Sequence, residues 1–138
     1  MMRSVWLDRR AWFWIGVGGA LGAVTRAMLI LLWDESLSAV VVQATLLANL
    51  IGCFILGFWA QYAQSLTQRW PSIQAFIPAY CGGLTTFSGL TADVFTELLT
   101  GHGLQAAIWM ILSGLLSVCA LALGWWISRV AQHQGEQP

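Results

Sequence analysis

Four long apolar runs, separated by short polar stretches, dominate the pattern of hydrophobic and polar positions along this chain. The runs extend over 11–33, 38–63, 72–99 and 104–128. A helix needs about 20 residues to cross a hydrocarbon layer about 30 Å thick, so each run is long enough to cross a membrane. The connections DESL, QSLTQRWP and TGHG are too short to hold a further domain between the runs. The pattern therefore predicts an all-α integral membrane protein with one four-span domain over residues 1–138.

The composition agrees with this interpretation. Of the 138 residues, 58% are hydrophobic and only 9% are charged. A soluble domain carries about 25% charged residues, which supply much of its polar surface. A chain with so few charges cannot build such a surface. The six basic residues are all arginines, and they form no patch large enough for nucleic acid.

The arginines are unevenly distributed between the two sides of the predicted bundle. Five of them flank the runs on the side that holds both termini: Arg3, Arg9, Arg10, Arg69 and Arg129. The connections on the opposite side carry Asp34, Glu35 and His102 and no arginine. Because arginine is enriched on the cytoplasmic side of membrane proteins, we expect both termini in the cytoplasm.

The first run combines small residues with a charge. Gly18, Gly22 and Arg26 follow one another at intervals of four and so share a helix face. Glycine at such positions lets another helix approach closely. An arginine within a span is costly and must face protein, water or the headgroup region. Arg26 either has a structural role, snorkelling or pairing with backbone carbonyls, or lies on the route of an anion.

The second and fourth runs carry polar side chains on faces of small residues. Asn49 offers two donors and one acceptor, and it either joins two helices or points a donor at a small anion. Ser113 and Ser117 continue into the small residues Ala120 and Gly124. Their hydroxyls either bond the carbonyl four residues earlier in the same helix or form a polar track beside a pore.

The third run contains residues that interrupt helices. Pro78 removes one intrahelical hydrogen bond, and the adjacent Gly82 and Gly83 permit unusual backbone angles. We therefore predict a helix interrupted near Gly82 to Thr86. Such a break is tolerated only where it is buried in protein or lines a polar cavity. Its free carbonyls and helix ends are typical of ion sites.

An aromatic residue and two acids follow the predicted break. Phe87 either packs as an ordinary apolar side chain or offers its electropositive ring edge to an anion, a contact weak enough to let the ion leave. Asp93 and Glu97, four residues apart, either face the outer interface and cap neighbouring groups or form a proton relay.

Three motifs on successive runs, GGALGAVTR, NLIGCFILG and GGLTTFS, together resemble the CrcB/Fluc family of bacterial fluoride channels. The likeness covers essentially the whole chain, and GGLTTFS is its most specific part. It implies an antiparallel dimer in the bacterial inner membrane, with two fluoride pores and a structural Na⁺ at the dimer interface. It also implies passive efflux of fluoride from the cytoplasm, which lowers fluoride toxicity.

The resemblance assigns roles to particular residues. Asn49 corresponds to the pore asparagine and Phe87 to the first phenylalanine of an aromatic box. The predicted fluoride path comprises Arg26, Asn49, Thr86, Phe87, Leu90, Ser113 and Ser117. The predicted sodium ligands are the backbone carbonyls of Gly82 and Thr85. No catalytic residue is expected, because the sequence has no nucleophile–base pair, metal-ligand cluster or phosphate-binding loop.

The chain departs from the family pattern after the break. The family continues TTFSTFS-x-E, whereas this chain reads TTFSGLTAD, with Gly89 for a threonine, Leu90 for the second phenylalanine and Asp93 for the glutamate. Trp109 stands where a tyrosine is expected. A leucine has no polarised ring edge, so Leu90 predicts a slower or less selective pore.

Other functions remain compatible with parts of the pattern. The arginine asymmetry favours insertion in one direction, and so pairing with an oppositely oriented paralogue instead of a second copy. A proton-coupled exporter of small cations is a further alternative, although the first run holds Arg26 and no acid. In a non-conducting assembly subunit, the polar side chains would serve only helix packing.

Overall fold

The computed structural model describes residues 9–32, 38–66 and 71–135, and within these ranges the chain is almost entirely helical. Five helices follow one another: α1 (Arg9–Leu32), α2 (Ser38–Leu66), α3 (Pro71–Leu84), α4 (Phe87–Leu99) and α5 (Gly103–Gly135). Four residues that enter the orientation argument lie outside the described residues: Arg3, Asp34, Glu35 and Arg69.

Three of the helices are long and apolar enough to cross a membrane alone, over Arg9–Leu32, Ala44–Ala63 and Gly103–His133. Helices α3 and α4 have only 14 and 13 residues, about 20 Å each at 1.5 Å per residue. Neither half spans a hydrocarbon core by itself, but the two together, with the two residues between them, are long enough. An all-α membrane protein with an interrupted third span is thereby confirmed.

The interruption lies at one end of the range predicted for it. Gly82 and Gly83 are still helical, and only Thr85 and Thr86 leave the helix. The glycines therefore do not open the chain. A Cβ on Gly83 would collide with the backbone carbonyl of Gly19, so this glycine is needed for the close approach of α3 to α1.

The helices pack as two close pairs, α1 with α3 and α2 with α5. The small residues of the first run work as predicted, because a Cβ on Gly22 would collide with the Tyr80 carbonyl of α3. In the second pair, Gly57 approaches the Leu121 carbonyl and Gly124 approaches the Phe54 carbonyl with equally little room. Backbone-to-backbone packing through small residues is typical of helices in membranes.

Burial in the described residues is the reverse of that in a soluble bundle. The interior holds mostly small side chains, such as Ala44 and Ala48, both 0% exposed. Large apolar side chains such as Leu31, Leu104 and Val118 lie on the surface. A surface of this kind is stable only against lipid or another protein.

Candidate ion pathway

Asn49 of α2 holds the break between α3 and α4 in place. The Thr86 N–H donates to Asn49 Oδ1 at 2.7 Å, and Asn49 Nδ2 donates to the Thr86 carbonyl at 3.2 Å. The amide oxygen thus replaces the helical acceptor that the Thr86 N–H lost where the helix was interrupted, and the amide N–H adds a donor to the carbonyl of this N-cap residue. An asparagine amide carries two N–H bonds, so one remains for another acceptor. Of the alternatives left open by the sequence, the structure shows that Asn49 joins two elements; its role as a donor to a small anion stays a prediction.

Thr86 starts the second half of the broken helix. Its backbone is extended, with φ −150° and ψ 123°, and its side-chain oxygen accepts from the Gly89 N–H at 3.0 Å. A threonine at the N-cap satisfies one of the free N–H groups of a helix start. Helix α4 therefore begins at Phe87 for a local reason, since the cap and the Asn49 contacts act on the same residue.

Thr85 closes the first half of the broken helix. Both its N–H and its hydroxyl donate to the Cys81 carbonyl, at 2.8 and 2.9 Å. The Thr86 N–H is taken by Asn49, so the Gly82 carbonyl lacks the donor that a continuous helix would supply four residues later. A Cβ on Gly52 would lie 2.5 Å from the Thr85 methyl, so α2 needs a glycine where it passes the break.

One pocket of about 270 Å³, here called the Asn49 pocket, lies between α2, the break and α5. It is lined by Asn49, Cys53, Thr85, Thr86, Phe87, Leu90, Met110, Ser113, Gly114 and Ser117. Six of the seven side chains predicted for the fluoride path line this pocket. The tertiary structure therefore brings together residues that are up to 68 positions apart in the sequence (49 to 117).

The two serines of α5 keep their hydroxyls available to the Asn49 pocket. Thr25 and Thr96 donate to the carbonyl four residues earlier, at 2.8 and 3.0 Å. Among the described residues, Ser113 and Ser117 make no such bond to their own helix. Ser117 is instead within hydrogen-bonding reach of the Cys53 thiol. This arrangement favours the polar track over the alternative in which the serines bond only their own helix.

Phe87 and Leu90 contribute to the Asn49 pocket in different ways. Phe87 is 70% exposed at the start of α4, so its ring is at the rim and at the protein surface. Leu90 is 4% exposed and packs with Val94 and Ala106. It forms an apolar wall where a second aromatic ring was expected.

A second pocket of about 440 Å³, here called the Arg26 pocket, lies between α1, α2 and α4. It is lined by Ala23, Arg26, Ala27, Ile30, Thr45, Thr86, Ser88, Gly89, Ala92 and Asp93. Arg26 is the one predicted path residue that is not in the Asn49 pocket. Thr86 lines both pockets, so the residue that Asn49 holds also separates them.

The two acids of α4 have different surroundings. Asp93 lines the Arg26 pocket, and the Thr45 hydroxyl is within hydrogen-bonding reach of its carboxylate. Glu97 is 8% exposed, and its Oε2 lies 3.5 Å from His102 Nδ1 in the turn that leads to α5. Glu97 therefore has a local structural partner, whereas Asp93 belongs to a pocket.

Cys53 and Thr45 are pocket residues that the sequence reasoning did not assign. Both lie four residues from Asn49, one on each side, and so share its helix face. That spacing was the available signal. It was not sufficient, because small side chains on a shared face usually serve packing alone.

The structure defines an integral membrane protein in which a broken helix lines two pockets that contain polar side chains, the arrangement by which membrane proteins form ion and substrate sites. Its relatives identify the group more closely. A family model described as "CrcB-like protein, Camphor Resistance (CrcB)" matches residues 13–125, so the chain belongs to the CrcB family.

Two proteins named "Fluoride-specific ion channel FluC" illustrate the similarity. The protein from Chlorobium chlorochromatii (strain CaD3) is 40% identical over 111 residues, which cover 80% of this chain and 85% of the relative. The protein from Salmonella arizonae is 34% identical over 116 residues, which cover 83% of this chain and 91% of the relative.

Proposed function

We propose that this protein is a fluoride channel that lets fluoride leave the bacterial cytoplasm passively and so lowers fluoride toxicity. The observation that carries the proposal is the Asn49 pocket, where one free amide N–H, two serine hydroxyls and a ring at the rim converge. The names of the relatives support fluoride as the ion.

The lining of the Asn49 pocket suits an anion that binds only weakly and is released during conduction. A desolvated fluoride needs donors in place of its water, and Asn49, Ser113 and Ser117 supply N–H and O–H groups. No residue that lines this pocket carries a formal charge. Neutral donors and a ring edge hold an anion less tightly than a cation would, and conduction requires release as well as binding. Arg26 in the neighbouring pocket attracts anions towards the pathway.

A dimer partner supplies the cover that the break requires. Phe87 is 70% exposed, and nothing lies within 4 Å of where a Cβ on Gly82 would stand. A carbonyl without its helical donor, as at Gly82, is not stable against lipid. We infer that an antiparallel second subunit packs on this surface and completes both pathways.

Na⁺ is the ion that the break would hold in such a dimer. The Gly82 carbonyl lacks its helical donor and Thr85 lies outside both helices, so both carbonyls are of the kind that coordinates Na⁺ in membrane proteins. These residues fit the ion. Bound there, Na⁺ would neutralise carbonyl dipoles at the interface and stabilise the dimer, without taking part in conduction.

Efflux from liposomes tests the channel. Vesicles that contain the purified protein and potassium fluoride are diluted into potassium-free medium at equal pH, and valinomycin lets potassium leave. A fluoride electrode then follows release. A channel gives rapid release without a pH gradient and leaves chloride behind. Release that requires a pH gradient would contradict the channel and indicate proton-coupled transport of fluoride instead.

The orientation in the membrane decides between two kinds of dimer. The five-to-none arginine asymmetry favours a chain that inserts with both termini in the cytoplasm and pairs with an oppositely oriented paralogue. Reporter tags at the C-terminus, read on both sides of the bacterial inner membrane, test this. Equal signals on the two sides would establish dual insertion and favour the homodimer. If purified protein conducts nothing alone but conducts with a paralogue, the heterodimer is correct. Failure in both cases would favour an assembly subunit.

A further inference from the structure

The Arg26 pocket contains two opposite charges within the membrane-spanning part of the chain. Arg26 lies on α1 and Asp93 on α4, seven residues beyond Thr86, which corresponds to about 10 Å along the helix. The wall between them consists largely of small residues, among them Ala23 and Ala92. A flexible arginine side chain therefore has room to move within the pocket.

Asp93 has only part of the hydrogen bonding that a carboxylate needs. The Thr45 hydroxyl, on a residue that is 2% exposed, is within reach of the carboxylate. The Oδ2 atom of Asp93 is buried and has no hydrogen-bond partner. A buried carboxylate oxygen without a donor is unfavourable, and more so in a membrane.

Arg26 is the basic side chain positioned to supply the missing donor. Among the described residues, neither Arg26 nor Asp93 has an oppositely charged side chain within 4 Å. A guanidinium can bind a carboxylate through two parallel N–H bonds. It can bind a small anion with the same donors, but not both at full strength.

We propose that Asp93 is a positioning residue for Arg26, and that the carboxylate and the permeating anion compete for its guanidinium. The inference rests on the proposed channel function. The two groups lie more than 4 Å apart in the structure, so the arginine side chain moves within the pocket to pair with Asp93 when no anion competes for the guanidinium. When an anion enters, the guanidinium turns towards it, and the return to Asp93 releases the anion. By competing for the guanidinium, Asp93 prevents Arg26 from binding the anion too tightly for it to leave.

A double-mutant cycle on efflux tests the competition. Arg26→Gln leaves an uncompensated carboxylate beside the path and should slow fluoride efflux at least about tenfold. Asp93→Asn frees the guanidinium, so half-saturation should occur at a fluoride concentration at least about fivefold lower. The efflux rate of the double variant should recover to within about threefold of the wild-type rate. If the change in efflux rate of the double variant equals the product of the changes in the two single variants, the proposal is overturned.

Glu97→Gln is the matched control for the cycle. Glu97 is a buried carboxylate one turn further along the same helix, and its partner is His102. The changes in efflux rate caused by Glu97→Gln and Arg26→Gln should be independent, so the double variant should show their product. Coupling as strong as that of Asp93 would show a general effect of charge and would count against a specific pair.

Thermal unfolding of the purified protein in detergent provides a readout that does not depend on conduction. Asp93→Asn and Arg26→Gln should each lower Tm, and the double variant should lower it by less than the sum. If Arg26→Gln does not fold, Arg26→Lys retains the charge without the two parallel N–H bonds and takes its place in the cycle. Coupled Tm shifts in a protein that conducts no fluoride would support the pair and refute the channel. Additive Tm shifts in a protein that conducts would refute the pair alone.

Discussion

At the scale of single residues, the same side chains serve the backbone and the pathway. Asn49 is the main example, since its amide binds the Thr86 peptide on two sides and still has one N–H left over. Ser113 is 2% exposed and makes no hydrogen bond to its own helix, so its hydroxyl is available inside the Asn49 pocket. Substitutions at these positions test structure and conduction separately.

Asn49→Asp keeps the size of the side chain and removes its N–H donors. We expect fluoride efflux to be lost, because a carboxylate repels the anion and cannot donate to it. We also expect a loss of about 1–3 kcal/mol in the free energy of unfolding, since the Thr86 carbonyl loses its donor. Efflux from liposomes and thermal unfolding measure the two effects. Wild-type efflux in this variant would contradict the role of Asn49.

Ser113→Ala removes one hydroxyl from the Asn49 pocket. We expect efflux to fall by about tenfold, the effect of losing one hydrogen bond of about 1.5 kcal/mol to a charged group. Ser128→Ala is the control, because Ser128 is also buried on α5, at 1% exposed, and lines neither pocket. Equal efflux in the two variants would remove the polar track from the proposed pathway.

Leu90→Phe restores the second ring of the family pattern. We expect faster efflux or stronger discrimination against chloride, because the ring edge replaces an apolar wall of the pocket. Leu90 packs with Val94 and Ala106, so the larger side chain should also cost about 1–3 kcal/mol of stability. Paired measurements of fluoride and chloride efflux test this. Unchanged rates and selectivity would mean that Leu90 does not limit the pore.

At the scale of helices, the break depends on contacts made by its neighbours. Pro78 and the two glycines lie within α3, and the helix nevertheless continues to Leu84. It stops where Asn49 of α2 takes the Thr86 N–H and where Thr86 caps α4. Gly83 acts instead on packing, by letting α3 and α1 approach until their backbones are in contact, whereas nothing lies within 4 Å of a Cβ on Gly82.

Gly83→Ala tests this packing role. The added methyl would collide with the Gly19 carbonyl, so α1 and α3 must separate, at a cost of about 1–3 kcal/mol. Gly16→Ala is the control on α1, because nothing lies within 4 Å of its added methyl and a small gain in helix stability is expected. The two values of Tm should therefore move in opposite directions. A neutral Gly83→Ala would show that α1 and α3 do not need their close contact.

At the scale of the whole molecule, the chain leaves the surface beside the break exposed. Phe87 and Gly82 lie on this surface, and so does the carbonyl that lost its helical donor. Large apolar side chains cover the rest of the exterior, as expected for lipid contact. The carbonyl without its helical donor is the observation behind the proposed partner subunit, since lipid offers it no donor.

Gly82→Cys tests the partner surface by cross-linking. If the carbonyls of Gly82 from two subunits face a shared ion, the introduced thiols lie near each other and oxidation should give a covalent dimer. The wild type is the control, because its exposed cysteine, Cys119, shows how much covalent dimer forms without a thiol at position 82. Efficient cross-linking through Cys119 instead would place the interface elsewhere.

Much of the fold followed from the sequence alone. The number, length and helical nature of the apolar runs depend on chain-local properties, since a membrane requires each span to satisfy its own backbone. The interruption of the third span was also predicted, but partly for the wrong reason, since proline and the glycines remain helical and only Thr85 and Thr86 leave the helix. The polar residues Asn49, Ser113 and Ser117 were identifiable as unusual in an apolar setting.

Only the tertiary structure decided where the third helix ends, which polar residues meet and which pocket each one lines. The helix ends at Leu84 because Asn49, 37 residues before Thr86, binds the Thr86 N–H. Arg26 and Asp93 share a pocket apart from the Asn49 pocket because α1 pairs with α3 and α2 with α5. The spans are apolar nearly all round, so hydrophobic periodicity does not say which face meets protein and which meets lipid. The face that meets protein is determined by close backbone contact at small residues. Such a contact depends on both helices, so the sequence of one helix does not reveal it.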